Sequence, residues 1–365
     1  MRFSGFDDEW IEEKLGNLVQ IRSGECTKNL ITGIDNSIPY FKVEQLNNSL
    51  KYQIKTPYFI NDKSKIVNKG SIIFPKRGAA ILLNKIRILN QDSFMDTNLM
   101  TLTPNNKLYN EFLYYFIYKE NLSKIADTTS IPQLNNKHIK PYPIKLPSFE
   151  EQLKISKFIS SVDKKVSLLS QNLEIFNDFK KGLLQQIFTQ KLRFDYDMIK
   201  LKDICKINKG KQLNKDAMIE NGKYYVLNGG KEPSGYTNEW NTSENTITIS
   251  EGGNSCGYVN FNTEKFWSGG HCYYLSNLHE NVDDYYLYSY LKFKEEFIMR
   301  LRVGSGLPNI QKRDIENIKI QIVSKDNQNK ISNLLLSADK KINSIQIQKE
   351  NFENFKKGLL QQMFV

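Results

Sequence analysis

The octapeptide Phe179-Lys180-Lys181-Gly182-Leu183-Leu184-Gln185-Gln186 recurs letter for letter at residues 355–362, 176 positions later. An internal repeat constrains architecture before any local reading, because a duplicated unit has to fold twice. The match runs backwards without a gap. Over residues 155–188, 17 of 34 positions equal those of 331–364, including Asp163-Lys164-Lys165 against Asp339-Lys340-Lys341. It fades through Ile131-Pro132-Gln133-Leu134, opposite Leu307-Pro308-Asn309-Ile310. At the front of each unit, Leu15-Gly16-Asn17-Leu18-Val19-Gln20-Ile21-Arg22-Ser23-Gly24 pairs with residues 201–210 at an offset of 186. The middle of the unit has therefore changed length by 10 residues (186 − 176) while the segment behind it is held. A held frame around a varying insert is the pattern expected of a specificity element.

Each copied segment predicts one long helix. Pro147 ends the preceding strand, and Ser148-Phe149-Glu150-Glu151 has the Ser-x-x-Glu form of a capping box. The second copy keeps Ser324 but has Asn327 at the reciprocal position, a weaker cap. Apolar residues then step by fours and threes through Val162, Val166, Leu169, Leu173 and Phe176. The second copy steps through Ala338, Ile342, Ile345, Lys349 and Phe352. That narrow stripe is a coiled-coil seam. Helices of about forty residues span about 60 Å, too long to pack only on their own domain. The order domain–helix–domain–helix makes antiparallel pairing natural, with an approximate two-fold relation. The helix ends carry more apolar residues than one seam uses: Phe179, Leu183, Leu184 and Ile187, then Phe355, Leu359, Leu360 and Met363. Partner helices are expected to dock there.

The domains alternate short strand-like runs with turns, such as residues 38–43 and 69–74, then 245–250, 257–261 and 271–275. Residues 110–119 predict a helix, matched by 283–292. Two pairs of loops suit nucleic-acid contact. Lys76, Arg77 and Gly78 follow a strand, where Arg77 can fork onto a guanine edge or clamp a phosphate. The same place in unit 2 holds Glu251, Gly252, Gly253, Asn254 and Ser255, with no cation. There Glu251 or Asn254 would read bases, favouring adenine or cytosine. The second pair carries Thr129, Ser130 and Gln133 in unit 1, and Ser305, Asn309 and Gln311 in unit 2. Their small residues before Leu/Ile-Pro let backbone approach a phosphate. Each loop also has a plain reading, as a hairpin turn or a connector into the helix. Thr97, Asn98, Lys209, Lys211 and His271 complete the DNA-binding candidates, although His271 reads first as a structural histidine.

Composition narrows the classes. No stretch approaches the roughly 20 apolar residues of a membrane helix, and residues 1–16 carry five acids and no signal-peptide core. Four cysteines form no Cys-x-x-Cys pair, and three histidines give no zinc-finger spacing. A reduced, cytoplasmic setting is expected. The net charge of +11 permits a polyanionic partner, but 43 lysines against 8 arginines also fit a general compositional bias. No phosphate loop, no Asn/Asp-Pro-Pro-Tyr/Phe motif, no metal site and no Ser-His-acid arrangement is present, so a non-catalytic chain is expected.

This pattern resembles the specificity subunit of type I restriction-modification systems, over essentially the whole chain. The residues that carry the resemblance are Ile144-Lys145-Leu146-Pro147-Ser148-Phe149-Glu150-Glu151-Gln152 leading into Ile155 and Asp163, and the duplicated Phe-Lys-Lys-Gly-Leu-Leu-Gln-Gln ends. Residues 70–78, Asp96-Thr97-Asn98-Leu99-Met100 and Phe266-Trp267-Ser268-Gly269-Gly270-His271 look like that family's recognition domains. Residues 323–328 depart from it, lacking the proline and acidic pair of the first copy. The resemblance implies that each domain reads half of a bipartite target in double-stranded DNA, with the helices setting the spacer. It implies two methyltransferase subunits docked on the helices, with S-adenosylmethionine held by them and no cofactor held by this chain. Restriction/translocase subunits would join them.

The expected class is α+β: two mixed α/β target-recognition domains separated by two long antiparallel helices forming a coiled coil, pseudo-two-fold. The expected boundaries are 1–146 for the first domain, 147–190 for the first helix, 191–322 for the second domain and 323–365 for the second helix. Two alternatives stay open: a recognition subunit of a related non-type-I system, and a coiled-coil scaffold carrying two protein-binding domains.

Overall fold

The computed structural model describes residues 2–27, 30–32, 37–128, 131–304, 306 and 308–364. The chain divides into two compact units, Met1–Leu169 with Gln348–Val365, and Ser170–Ile347.

In unit 1 a five-stranded sheet has the spatial order Val19–Ser23, Leu99–Pro104, Ile72–Pro75, Arg87–Leu89, Tyr52–Gln53. A three-stranded sheet orders Phe59–Ile60, Ile38–Phe41, Phe94–Met95. Strand Ile72–Pro75 is buried on both faces, which is why its sequence is a continuous apolar run. Successive side chains of a strand point oppositely. Ile72 and Phe74 accordingly enter a core with helix Asn110–Glu120, while Ile73 enters a second core with Tyr40, Phe41 and Phe94.

Unit 2 repeats the plan. One sheet orders Lys206–Lys209, Cys272–Ser276, Thr246–Ser250, Val259–Asn262, and a smaller one orders Gly235–Thr237, Tyr224–Leu227, Trp267–Ser268. Ile247 and Ile249 face the core with helix Asp284–Phe293. The opposite face carries Thr246, Thr248 and Ser250, where hydroxyls replace aliphatic packing. Asn262 Nδ2 donates to Thr248 Oγ1 at 3.1 Å, and Ser250 Oγ donates to the Gly229 carbonyl. The second apolar layer here shrinks to Leu227, Phe266 and Cys272, with Tyr225 stacked on Phe266.

The long helices run Phe149–Phe188 and Lys325–Met363. In unit 1, Ile155, Ile159 and Val162 of the first helix share a core with Leu359, Leu360, Met363 and Phe364. In unit 2 the counterparts Ile331 and Leu335 share a core with Ile187 and Phe188. Within unit 1, Phe158 meets Phe355 edge-on at 6.5 Å and Lys165 lies 5.8 Å from the Phe352 ring. Within unit 2, Lys341 lies 5.9 Å from the Phe176 ring and Lys180 pairs with Asp339. In both, a step forward on the first helix is a step backward on the second, so the segments run antiparallel. No helix among the described residues is long and apolar enough to cross a membrane.

Two sequence expectations are corrected. The Ser148 hydroxyl accepts from the Glu151 amide at 3.3 Å, but the Glu151 side chain does not close a capping box. It is buried and takes Arg2 at 3.0 and 2.7 Å and Trp10 Nε1 at 3.2 Å, because an ionised carboxylate out of water needs charged or N–H partners. The helix ends are also not a uniform docking face. Ile187, Leu359, Leu360 and Met363 are buried in the cores, and Leu183 and Leu184 pack half-buried against the second core. Packing in the cores takes the four buried residues out of a docking face. Phe179 and Phe355, one turn before Leu183 and Leu359, remain about half exposed.

Candidate nucleic-acid interface

Each long helix is fastened at its start by a buried glutamine. Gln152 accepts from the Tyr109 amide at 2.8 Å and donates to the carbonyls of Lys107 and Pro147, both at 3.0 Å. Gln328, 176 residues later, accepts from the Asp283 amide at 2.8 Å and donates to the carbonyls of Asn281 at 3.0 Å and Val323 at 2.8 Å. A fully buried amide with every group satisfied ties helix, preceding strand and domain helix together. The departure at residues 323–328 thus leaves the second helix start anchored as the first is. In the sequence Gln152 stands out only as the last residue of the segment 144–152, and the identity of the two glutamines at one offset is the signal for their shared role.

Backbone hydrogen bonds gather three loops at one end of the main sheet in each unit, beyond the strands Ile72–Pro75 and Thr246–Ser250. In unit 1 the Lys76 amide donates to the Asn98 carbonyl at 2.8 Å, Gly78 to Pro132 at 2.9 Å, and Leu134 to Lys76 at 2.8 Å. In unit 2 the Glu251 amide donates to His271 at 3.0 Å, Gly253 to Pro308 at 3.0 Å, and Ile310 to Glu251 at 2.8 Å. Asp127 and Gln133 bridge as Val303 and Asn309 do. The bonds equate Lys76 with Glu251, Arg77 with Gly252, Gly78 with Gly253, Asn98 with His271 and Gln133 with Asn309. A duplicated cradle thus holds different side chains.

Two positions explain why glycine recurs. A Cβ on Gly24 would lie 1.8 Å from the Asp96 carbonyl oxygen, and one on Gly210 would lie 2.2 Å from that of Gly269. Backbones this close exclude any side chain. Gly78 and Gly253 both have left-handed φ, 86° and 73°.

Charge differs sharply between the cradles. Arg77 and Thr97 are exposed, and Lys76 and Asn98 partly so. Burial pushes the Lys76 ammonium below its ordinary pKa, with Arg77 adding to the effect and Asp96 opposing it. The Asp96 carboxyl is raised by burial and held back by its hydrogen bonds from Asn98. In unit 2, Glu251 Oε1 accepts from Lys209 Nζ at 2.7 Å and from the Tyr273 hydroxyl at 3.1 Å. Glu251 Oε2 is buried without a hydrogen-bond partner, 3.8 Å from His271 Nδ1. The Tyr273 phenol is raised by burial first and by the Glu251 charge second.

The remaining sequence candidates divide. Asn254 is exposed on the turn Gly253–Ser255, with Ser255 partly covered. Lys211 is exposed, and its backbone binds Ser268 and the Trp267 indole. Gln311 is exposed and donates to Asn309 Oδ1 at 3.0 Å. The His271 ring is 65% exposed, so the expectation of a satisfied structural histidine is not met; it is the backbone that is tied, the amide to Asn228 and the carbonyl to the Glu251 amide. Thr129, Ser130 and Ser305 lie outside the described residues. Among the described residues no group of three or more His, Cys, Asp or Glu side chains is placed to hold a metal.

A family model described as "Type I restriction modification DNA specificity domain" matches residues 7–175 and again 194–352. The type I restriction enzyme MjaVIII specificity subunit of Methanocaldococcus jannaschii is 24% identical over 401 aligned residues, covering 97% of this chain and 91% of that one. Among solved structures, the S subunit of a type I restriction-modification system from M. genitalium matches with a TM-score of 0.72 at 19% identity, covering 100% of this chain and 97% of that one.

Proposed function

The chain belongs to the type I restriction-modification DNA specificity family, and from that premise we propose how its two units divide the work of recognition. It is a sequence-specific DNA recognition subunit and carries no catalytic role. Each cradle reads one half of a bipartite target in double-stranded DNA. The observation that carries this is the cradle itself: equivalent backbone bonds in both units hold non-equivalent side chains, Lys76-Arg77 against Glu251-Gly252. A fixed frame with exchanged side chains is what two different half-sites require.

The DNA-facing residues on this reading are Lys76, Arg77, Gly78, Thr97, Asn98 and Gln133 in unit 1. In unit 2 they are Lys209, Lys211, Glu251, Gly253, Asn254, Ser255, His271, Asn309 and Gln311. Thr129, Ser130 and Ser305 join them by position in the sequence. Residues 1–146 and 191–322 act as the recognition domains, with 147–190 and 323–365 as spacer segments. The antiparallel segments within each unit support a continuous coiled coil that fixes the distance between half-sites. Methyltransferase subunits dock on the helices, with Phe179 and Phe355 offered to them, and hold the S-adenosylmethionine. Restriction/translocase subunits complete a cytoplasmic assembly.

The test is a chimera. Replacing residues 1–146 by those of another family member is expected to change one half of the methylated motif in the host's DNA. A motif changed in both halves, or in neither, overturns the division of labour.

A further inference from the structure

Glu251 stands out among the cradle residues because its two carboxylate oxygens have different fates. Oε1 is complete, with Lys209 Nζ at 2.7 Å and the Tyr273 hydroxyl at 3.1 Å. Those bonds fix the side chain. Oε2 takes part in none of this: it is buried without a hydrogen-bond partner, on a side chain only 13% exposed. An acceptor withdrawn from water and left unpaired is costly unless something arrives to fill it. The loops around it are open: His271, Asn254 and Lys209 are all exposed.

We propose that Glu251 is a specificity-determining residue of unit 2, whose Oε2 accepts a hydrogen bond from the exocyclic amino group of an adenine or cytosine in the major groove. The assignment rests on the reading of this chain as a DNA recognition subunit. An ionised carboxylate only accepts. It is satisfied by adenine N6 or cytosine N4 and repelled by guanine O6 or thymine O4, which are acceptors themselves. A carboxylate beside phosphates needs neutralising, and Lys209 Nζ at 2.7 Å supplies a positive charge. Unit 1 places Lys76, a donor, at the equivalent position. The two cradles thus present opposite hydrogen-bonding polarity at the same point of the frame.

The experiment enriches randomised duplexes on the full chain, wild type against Glu251→Gln, Tyr273→Phe and Lys209→Met, with thermal melting as a check on folding. The wild type is expected to restrict one position of one half-site to adenine or cytosine. Glu251→Gln, whose amide both donates and accepts, should lose about tenfold or more of that discrimination and leave every other position intact. Tyr273→Phe, which removes one bond that orients the carboxylate, should lose less at the same position. Should Glu251→Gln fail to fold, Tyr273→Phe and Lys209→Met read the same position. Unchanged discrimination in the folded variants, or relaxation in the half-site that follows residues 1–146, overturns the assignment. A wild-type chain that enriches no duplex in a salt-dependent manner overturns the functional reading itself, and the assignment falls with it.

Discussion

Lys356 Nζ lies 2.5 Å from Asp163 Oδ1, joining the end of the second long helix to the first half of the first. The repeat supplies the counterpart in unit 2, Lys180 Nζ to Asp339 Oδ1 at 2.5 Å. Each aspartate also accepts a tyrosine hydroxyl, Tyr115 at 2.6 Å and Tyr285. The tyrosines are not equivalent. Tyr109 and Asp283 donate to the matching glutamines, which aligns Tyr285 with Glu111, one helical turn before Tyr115. A carboxylate held between helices needs a donor, and the two units found one on different turns of the same helix.

Reversing one charge at Lys356 is therefore expected to destabilise unit 1 by about 1–3 kcal/mol, since it leaves two carboxylates facing each other. Combining Lys356→Glu with Asp163→Lys should recover much of that loss. Urea unfolding of the two single variants and the double variant gives the coupling. A double variant no more stable than the sum of the singles argues that the pair does not fix the helices.

The buried glutamines make a second, sharper case. Gln152→Leu strands the Tyr109 amide and two carbonyls, and Gln328→Leu strands their counterparts. A loss of about 2–4 kcal/mol is expected for each. An exposed control, Gln186→Leu, should change stability by less than about 0.5 kcal/mol. Equal effects at all three positions would mean that the fastening is incidental.

Spacer length should follow the helices only when both are lengthened together. Four residues inserted in one helix shift Lys356 or Lys180 away from its aspartate. Matched insertions at the division between units, after Leu169 and after Ile347, keep each antiparallel segment in register. One added turn of about 5.4 Å is expected to lengthen the spacer of the methylated motif by about one to two base pairs. A stable double insertion with an unchanged spacer removes the helices from the role of ruler.

Thiol labelling reports the cores directly. Cys26 is exposed, whereas Cys205, Cys256 and Cys272 are buried. Burial pushes the Cys205 thiol up to about 12 and the Cys272 thiol up to about 11, and raises Cys256 as well. At pH 7–8 the three buried thiols hold almost no reactive thiolate. A maleimide is expected to modify one cysteine in the native chain and four after unfolding. Rapid native labelling at Cys272 would contradict the packing of the smaller layer in unit 2.

The repeat made much of this legible. The offset of 176 located both helices, and residues such as Asp163 and Lys180 matched across it because helix pairing tolerates little change. The strands Ile72–Pro75 and Thr246–Ser250 were readable from β-branched runs. The equivalence of Lys76 and Glu251 was legible only as position in the frame. Its proof lies in bonds between residues far apart in sequence, such as Ile310 to Glu251, which no local pattern encodes. The apolar helix ends were misread for a related reason. A buried leucine and a docking leucine look alike in sequence, and only the surrounding fold shows that Leu359 and Leu360 are already covered.

Phe364 closes the core of unit 1 against Phe112 at 4.9 Å, and Lys119 Nζ reaches its carbonyl at 3.1 Å. During synthesis that contact arrives late. Unit 2 is one continuous run, Ser170–Ile347, and has every residue it needs before position 348 leaves the ribosome. Unit 1 emerges first and is finished last, waiting with an open core for its closing segment. A message cut short before that segment would yield a chain whose second reader is whole and whose first is unsealed.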